Sequence, residues 1–191
     1  MTSVTIQTPA TTANLGPGFD CLGLALDLWN KTTFTLEGTG MRVKVRGEGS
    51  GLLPLDDRNL VLRSALRLYQ SVGAELPEGL SILCENRIPM GSGLGSSAAA
   101  IITGLVGANA LLGNPVGTDE ILRLAVAIEG HPDDRMVAAQ TIIRHTGRDM
   151  CMVVLNTHGR QVFTFRAFQR ISRGKVVRMK IVSDSFRLDV K

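Results

Sequence analysis

Cysteine is scarce in this 191-residue chain. Cys21, Cys84 and Cys151 are odd in number and form no CxxC pair. That excludes a disulfide framework and a cysteine zinc site, and it suits a reducing compartment. No apolar run reaches the roughly 18 residues of a membrane span. The start, Met1-Thr-Ser-Val-Thr-Ile6, lacks a basic segment followed by an apolar block, so no secretory signal is visible. These absences predict a cytoplasmic protein with no membrane partner. No glycine loop runs into Gly-Lys-Ser/Thr, which excludes a Walker site. No Ser/His/Asp or paired-histidine pattern marks a hydrolase or metal centre. What remains is an ordinary globular composition, 44% apolar and 20% charged. It is enough for one large or two small domains and for a core without disulfides.

The net charge of +4 hides a seam. Before residue 135 there are nine Lys and Arg against fourteen Asp and Glu; from it onward, twelve against three. Eighteen of 21 glycines precede the same point, and no glutamate follows Glu129. One domain rarely changes composition so abruptly. The chain therefore reads as residues 1–134, with the chemistry, and a basic tail, 135–191. A uniformly basic protein would point to nucleic acid; this distribution does not.

Hydrophobic periodicity predicts strands over Val4–Gln7, ending at Pro9, and over Leu22–Trp29. It predicts two more over Thr32–Leu36 and Arg42–Arg46, joined as a hairpin at Gly38-Thr-Gly40. Ala10–Asp20 reads as a loop. Asn59–Val72 has helical spacing with Gly73 as its stop. Leu80–Cys84 reads as a strand and Ser96–Leu112 as a buried helix. Thr118 caps a further helix to Ile128, with Asp119 and Glu120 in its first turn. In the tail, Cys151–Leu155 and Gln161–Phe165 alternate and predict a hairpin turning at Asn156–Gly159. Strands then helices, with mixed connections, indicate an α+β fold.

Three segments carry chemistry. The first to weigh is Pro89-Met90-Gly91-Ser92-Gly93-Leu94-Gly95-Ser96-Ser97-Ala98-Ala99. Its glycines let backbone N–H groups approach an anion, and the helix start adds unpaired N–H groups and a positive partial charge. Ser96 and Ser97 can donate to phosphate oxygens or ligate magnesium. The construction suits a nucleotide triphosphate; a flexible turn before a core helix is the plainer reading. Pro9–Gly23 contains a glycine-rich loop that holds Asn14 and Asp20. They could present an amide and a carboxylate to a small polar ligand, the carboxylate suiting an ammonium group, or simply satisfy a loop backbone. Glu129-Gly-His131-Pro-Asp133-Asp134 ends a helix and would place Glu129, His131 and Asp133 close together. Glu129 could hold Mg²⁺ against phosphates and Asp133 could face an acceptor, or the segment could be a solvated acidic turn.

In this order and spacing the three segments resemble the homoserine kinases. These belong to the superfamily of galactokinase, homoserine kinase, mevalonate kinase and phosphomevalonate kinase. The resemblance covers residues 1 to about 134. It implies a ribosomal protein S5 domain 2-like kinase domain followed by a ferredoxin-like domain. It implies transfer of the ATP γ-phosphate to the L-homoserine hydroxyl in threonine biosynthesis, by a homodimer. Pro89–Ala99 would wrap the phosphates, with Ser97 and Glu129 near Mg²⁺ and Asn59 against adenine. Asn14, Asp20, His131 and Asp133 would line the homoserine site, and Glu129 and Asp133 would be catalytic. Asp133 has two open roles, base or orienting group, since a loose phosphoryl-transfer transition state does not require a base. A related kinase of the superfamily, or a truncated inactive fragment, is the alternative.

The resemblance stops abruptly. Where these kinases continue His-Pro-Asp-Asn-Val-Ala and a Gly-Gly turn, this chain reads His131-Pro-Asp-Asp-Arg-Met136. The third glycine-rich motif and the substrate-gripping arginines have no match, so the ferredoxin-like domain is altered or missing. Charge, glycine and motif all break at one place, which points to a reading-frame change near codon 134. An RNA-binding appendage is the alternative. The tail has no recognised RNA-binding motif and no aromatic stacking platform, so no nucleic-acid partner is expected.

Overall fold

The computed structural model describes residues 2–13, 23–129, 150–157, 161–172 and 175–186. The chain divides into two compact units, residues 1–10 with 28–131 and residues 11–27 with 132–191. The first unit carries the glycine loop.

The elements in order are β1 (Ser3–Ala13), β2 (Gly23–Leu36), β3 (Gly40–Gly47), α1 (Leu60–Ser71), β4 (Gly79–Asn86), α2 (Ser96–Leu111) and α3 (Thr118–Glu129). The four strands form one mixed sheet in the order β1-β2-β4-β3. β4 runs antiparallel to β2, with Phe34 opposite Ile82, and parallel to β3, with Val43 opposite Ile82. One side of the sheet meets the helices. Phe34, Leu80, Ile82 and Cys84 pack there with Leu62, Ala65 and Leu68 of α1, Ile101, Leu105 and Ala108 of α2, and Leu124 and Ala125 of α3. The other side is polar, with a Thr5–Thr33 hydroxyl pair at 3.0 Å and a Lys31–Glu85 ion pair at 3.5 Å. That is how a sheet with one solvated face reads.

Three strand expectations need correction. β2 and β3 do not form a hairpin: β4 lies between them. The turn at Gly38–Gly40 instead holds the start of β4, since Glu37 N donates to Gly79 O (3.3 Å) and Gly40 N to Glu78 O (2.8 Å). A side chain on Gly79 would overlap the carbonyls of Glu37 and Gly38, so only glycine fits there. Nor does Pro9 end β1, which runs to Ala13. β1 is an edge strand, the position in a sheet where proline is tolerated. Finally, the two strands expected over 22–29 and 32–36 are not separate: Gly23–Leu36 is one strand, with Asn30 buried in its middle, and Leu22 lies outside the described residues.

The helices follow the sequence closely. α1 begins one residue after the expected start, Asn59, which is instead its N-cap: its Oδ1 accepts from Val61 N at 3.0 Å. Gly73, at φ 64°, ends it with Ala74 N donating to Tyr69 O. α2 has no polar face and is buried on most sides, as its alanine, isoleucine and leucine content requires. In α3 Thr118 is the first helical residue rather than the cap. Asn109 fixes the link before α3: its Nδ2 donates to Val116 O and its Oδ1 accepts from Val116 N.

In the second unit β5 (Met150–Thr157), β6 (Gln161–Ser172) and β7 (Lys175–Phe186) form an antiparallel sheet in that order. The expected pairing of Cys151–Leu155 with the strand after Gln161 is present. Its connecting residues 158–160 lie outside the described residues. A register shift at Arg170/Ile171 marks the β6–β7 pair.

Candidate active site

β4 delivers the chain to the glycine loop. The ladder ends at Asn86, and Pro89–Gly95 then crosses to the start of α2. Gly91, Gly93 and Gly95 all have left-handed backbone, at φ 66°, 73° and 66°. A Cβ at Gly91 or Gly93 would meet nothing within 4 Å, so backbone conformation, not space, selects glycine. Ser92 Oγ donates to Pro89 O at 2.8 Å and tightens the loop. Gly95 is the N-cap of α2 and makes no side-chain cap bond. Ala99 N returns to Gly95 O at 2.9 Å. The earlier first-turn N–H groups, on residues 96–98, precede the first intrahelical bond. They are therefore oriented for an anion.

A cavity of about 230 Å³ opens beside this helix start. Met90, Ser96, Ser97 and Ala100 form its loop-and-helix wall; Asn30, Thr32, Val45 and Cys84 form its sheet wall; Leu53, Asn59, Leu60 and Val61 close it from the α1 side. None of its lining residues is ionisable except Cys84. Burial pushes the Cys84 thiol up to about 11, against a smaller lowering by its hydrogen bond with Thr32. The cavity thus offers amides, hydroxyls and apolar surface but no fixed charge. Such a lining suits a flat neutral group, and the helix start suits an anionic one.

Three asparagines brace the cavity, and only Asn59 is expected there, from the resemblance. Asn59 is 4% exposed; besides capping α1 it donates from Nδ2 to Pro54 O at 2.8 Å. Asn86 Nδ2 donates to Glu48 O at 3.1 Å and holds the turn after β3. Asn30, 8% exposed, accepts at Oδ1 from the backbone N–H groups of Arg87 (2.8 Å) and Ile88 (3.0 Å). The signal for Asn30 and Asn86 was present as an amide inside or ending a β-run, where no ladder bond uses the side chain. Thr103, also on the cavity wall, shares a 2.9 Å hydroxyl bond with buried Thr8.

The expected site residues divide accordingly. Asn59, Met90, Ser96 and Ser97 come together on one cavity, with Gly91–Gly95 leading into it. Ser97 is exposed, Leu94 and Ala98 half-buried, and Ala99 buried in the core. Glu129 is the last residue of α3, half-buried and not among the cavity residues. Asn14, Asp20, His131 and Asp133 lie outside the described residues. No group of three or more His, Cys, Asp or Glu that could hold a metal occurs among the described residues. None of their helices is long and apolar enough to cross a membrane.

Residues 59–141, from the α1 cap through the glycine loop and beyond α3, match the family described as GHMP kinases N terminal domain. This segment is a GHMP kinase N-terminal domain. The GHMP kinase segment has curated relatives over a longer stretch. The homoserine kinase of Corynebacterium kroppenstedtii is 47% identical over 132 residues, covering 69% of this chain and 42% of that protein. That of Carboxydothermus hydrogenoformans is 46% identical over 131 residues, 69% of this chain and 43% of that protein. The chain therefore spans less than half the length of these relatives. Among solved structures, the homoserine kinase of Cytophaga hutchinsonii superposes with a TM-score of 0.63 at 26% identity, over 90% of this chain and 57% of that one. The mixed sheet with helices on one side is thus the GHMP kinase N-terminal α+β fold.

Proposed function

We propose that the chain carries the nucleotide- and substrate-binding part of a homoserine kinase, which transfers the γ-phosphoryl group of Mg·ATP to the hydroxyl of L-homoserine. The observation that carries this reading is the uncapped start of α2, led by three left-handed glycines, beside an uncharged cavity. Phosphoryl transfer depends mostly on positioning and charge stabilisation. A triphosphate on the N–H groups of residues 96–98 would place the base in the cavity near Asn59. Magnesium arrives with ATP as part of the substrate, near Ser97 and Glu129. It neutralises phosphate charge and needs few protein ligands, in keeping with a wall of hydroxyls and amides.

The acceptor end rests on sequence. Asn14, Asp20, His131 and Asp133 line the homoserine site, with Asp20 taking the ammonium group. Asp133 and Glu129 are the catalytic carboxylates. The reading extends to a cytoplasmic homodimer in threonine biosynthesis and to an S5 domain 2-like first domain ending at about residue 134. For residues 135–191 we infer a ferredoxin-like domain altered by a reading-frame change near codon 134. If shifting the frame in the gene fails to restore Asn-Val-Ala and Gly-Gly, that inference is wrong.

The test is ADP formation by the purified chain with Mg·ATP, with and without L-homoserine, beside a frame-corrected version. Homoserine-dependent ADP and a phosphorylated hydroxyl are expected from the corrected version. Activity there alone leaves the reaction standing and makes this chain an inactive product. Absence of homoserine-dependent turnover in both contradicts the assignment.

A further inference from the structure

We propose that Asn30 is the positioning residue of the glycine loop. It holds the loop's first strand-side residues so that the N–H groups at the α2 start face the cavity. The inference rests on the nucleotide reading above and adds a residue that this reading does not use.

The geometry leaves few alternatives for anchoring this end of the loop. The β4 ladder stops at Asn86, paired with Gly47. Beyond it, Arg87 and Ile88 leave the sheet with N–H groups that have no ladder acceptor. Ile88 is 1% exposed, so water does not replace that partner. Pro89 has no N–H at all. Residues 87 and 88 are therefore the last backbone donors before the loop, and both donate to one atom, Asn30 Oδ1, at 2.8 and 3.0 Å. The far end of the loop is fixed separately, by Ala99 N on Gly95 O and by the buried Ile101 and Leu105 of α2. Asn30 is itself immobilised in the interior of β2, one residue before the β2–β4 pairing that begins at Lys31↔Glu85. A buried carboxamide in mid-strand is costly unless it is used. Its oxygen here is fully engaged, two lone pairs for two donors. Phosphate recognition by backbone N–H groups tolerates errors of only about 0.5 Å, so loss of this anchor acts on nucleotide binding as well as on stability.

The test compares Asn30→Ala, which removes the acceptor, with Asn30→Asp, which keeps two acceptor lone pairs in place. Asn109→Ala is the control. It breaks the bonds to Val116 and so perturbs the same unit away from the loop and the cavity. Residue-resolved hydrogen exchange should rise at least about tenfold over 87–95 in Asn30→Ala. It should stay native-like there in Asn30→Asp and in Asn109→Ala. Calorimetry should show Mg·ATP bound about tenfold more weakly by Asn30→Ala than by Asn109→Ala. Unchanged exchange over 87–95 in Asn30→Ala overturns the proposal, as does equal loss of affinity in Asn30→Ala and Asn109→Ala. Should Asn30→Ala not fold, raised loop exchange in Asn30→Asp overturns it equally. If the unsubstituted chain binds no nucleotide, the kinase reading fails on that arm, while the exchange arm still decides the role of Asn30.

Discussion

Gly104 of α2 lies against the backbone carbonyl of Val61 in α1, so close that a Cβ on it would overlap that oxygen. Two turns of chain are thereby locked together at the cavity wall, since Val61 also lines the cavity. Gly107, one turn on, faces the ring of fully buried Phe34 in the same way. Alanine raises intrinsic helix propensity by about 1 kcal/mol over glycine, yet here the backbone carbonyl has nowhere to go. Gly104→Ala is expected to lower stability by about 2 kcal/mol net, measured by urea unfolding. A gain in stability would mean that the two helices are not packed as described.

The loop glycines should behave differently. Gly93 has open space but φ 73°. An L-residue there costs about 1–2 kcal/mol of backbone strain. Gly93→Ala should therefore change stability modestly and weaken Mg·ATP binding more than it lowers Tm. Calorimetric titration beside a melting curve checks both. Equal affinity in the variant would remove the loop from nucleotide binding.

Asn59 should reveal its two bonds separately. Asn59→Asp keeps an oxygen for Val61 N and loses the donor to Pro54 O; Asn59→Ala loses both. The alanine variant should be about 1–2 kcal/mol less stable than the native chain, with the aspartate variant between them. Chemical denaturation orders the three.

Cys84 gives a pH dependence. Its thiol lies at about 11 in the folded chain against an ordinary 9.0, because burial disfavours the thiolate. The folded state holds this proton after the unfolded chain has released it. The associated stability is therefore fully present below pH 9 and is lost as pH rises through about 11. The loss approaches about 3 kcal/mol. Urea unfolding at pH 7, 9 and 10.5 should show a steeper decline for the native chain than for Cys84→Ala. Parallel declines would contradict the burial of the thiol.

Much of the helical layer was legible in sequence because local signals decide it. Asn59 announces α1, Gly73 ends it, and the unbroken apolar content of α2 places that helix in the interior. The glycine loop was legible because its chemistry is written in consecutive residues. Sheet order was not. The Gly38–Gly40 turn tells the chain to bend but not what fills the gap. That is decided about 40 residues later by Gly79, whose missing side chain admits β4. Asn30 looked like a break between two strands because polarity in mid-strand is ambiguous until its partners, Arg87 and Ile88, are seen. Both failures are long-range pairings, which no local pattern encodes. Of the proposed site, the nucleotide half lies on described elements, whereas the proposed acceptor residues Asn14, Asp20, His131 and Asp133 do not.

The most direct measurement is a residue-resolved amide NMR titration of the purified chain with Mg·ATP. The expected result is saturable binding, with the largest shifts at the amides of residues 90–98 and at the Asn59 side chain. Binding with shifts elsewhere, or no binding at millimolar Mg·ATP by a chain that is demonstrably folded, would contradict the assignment of the α2 start and its cavity to the nucleotide.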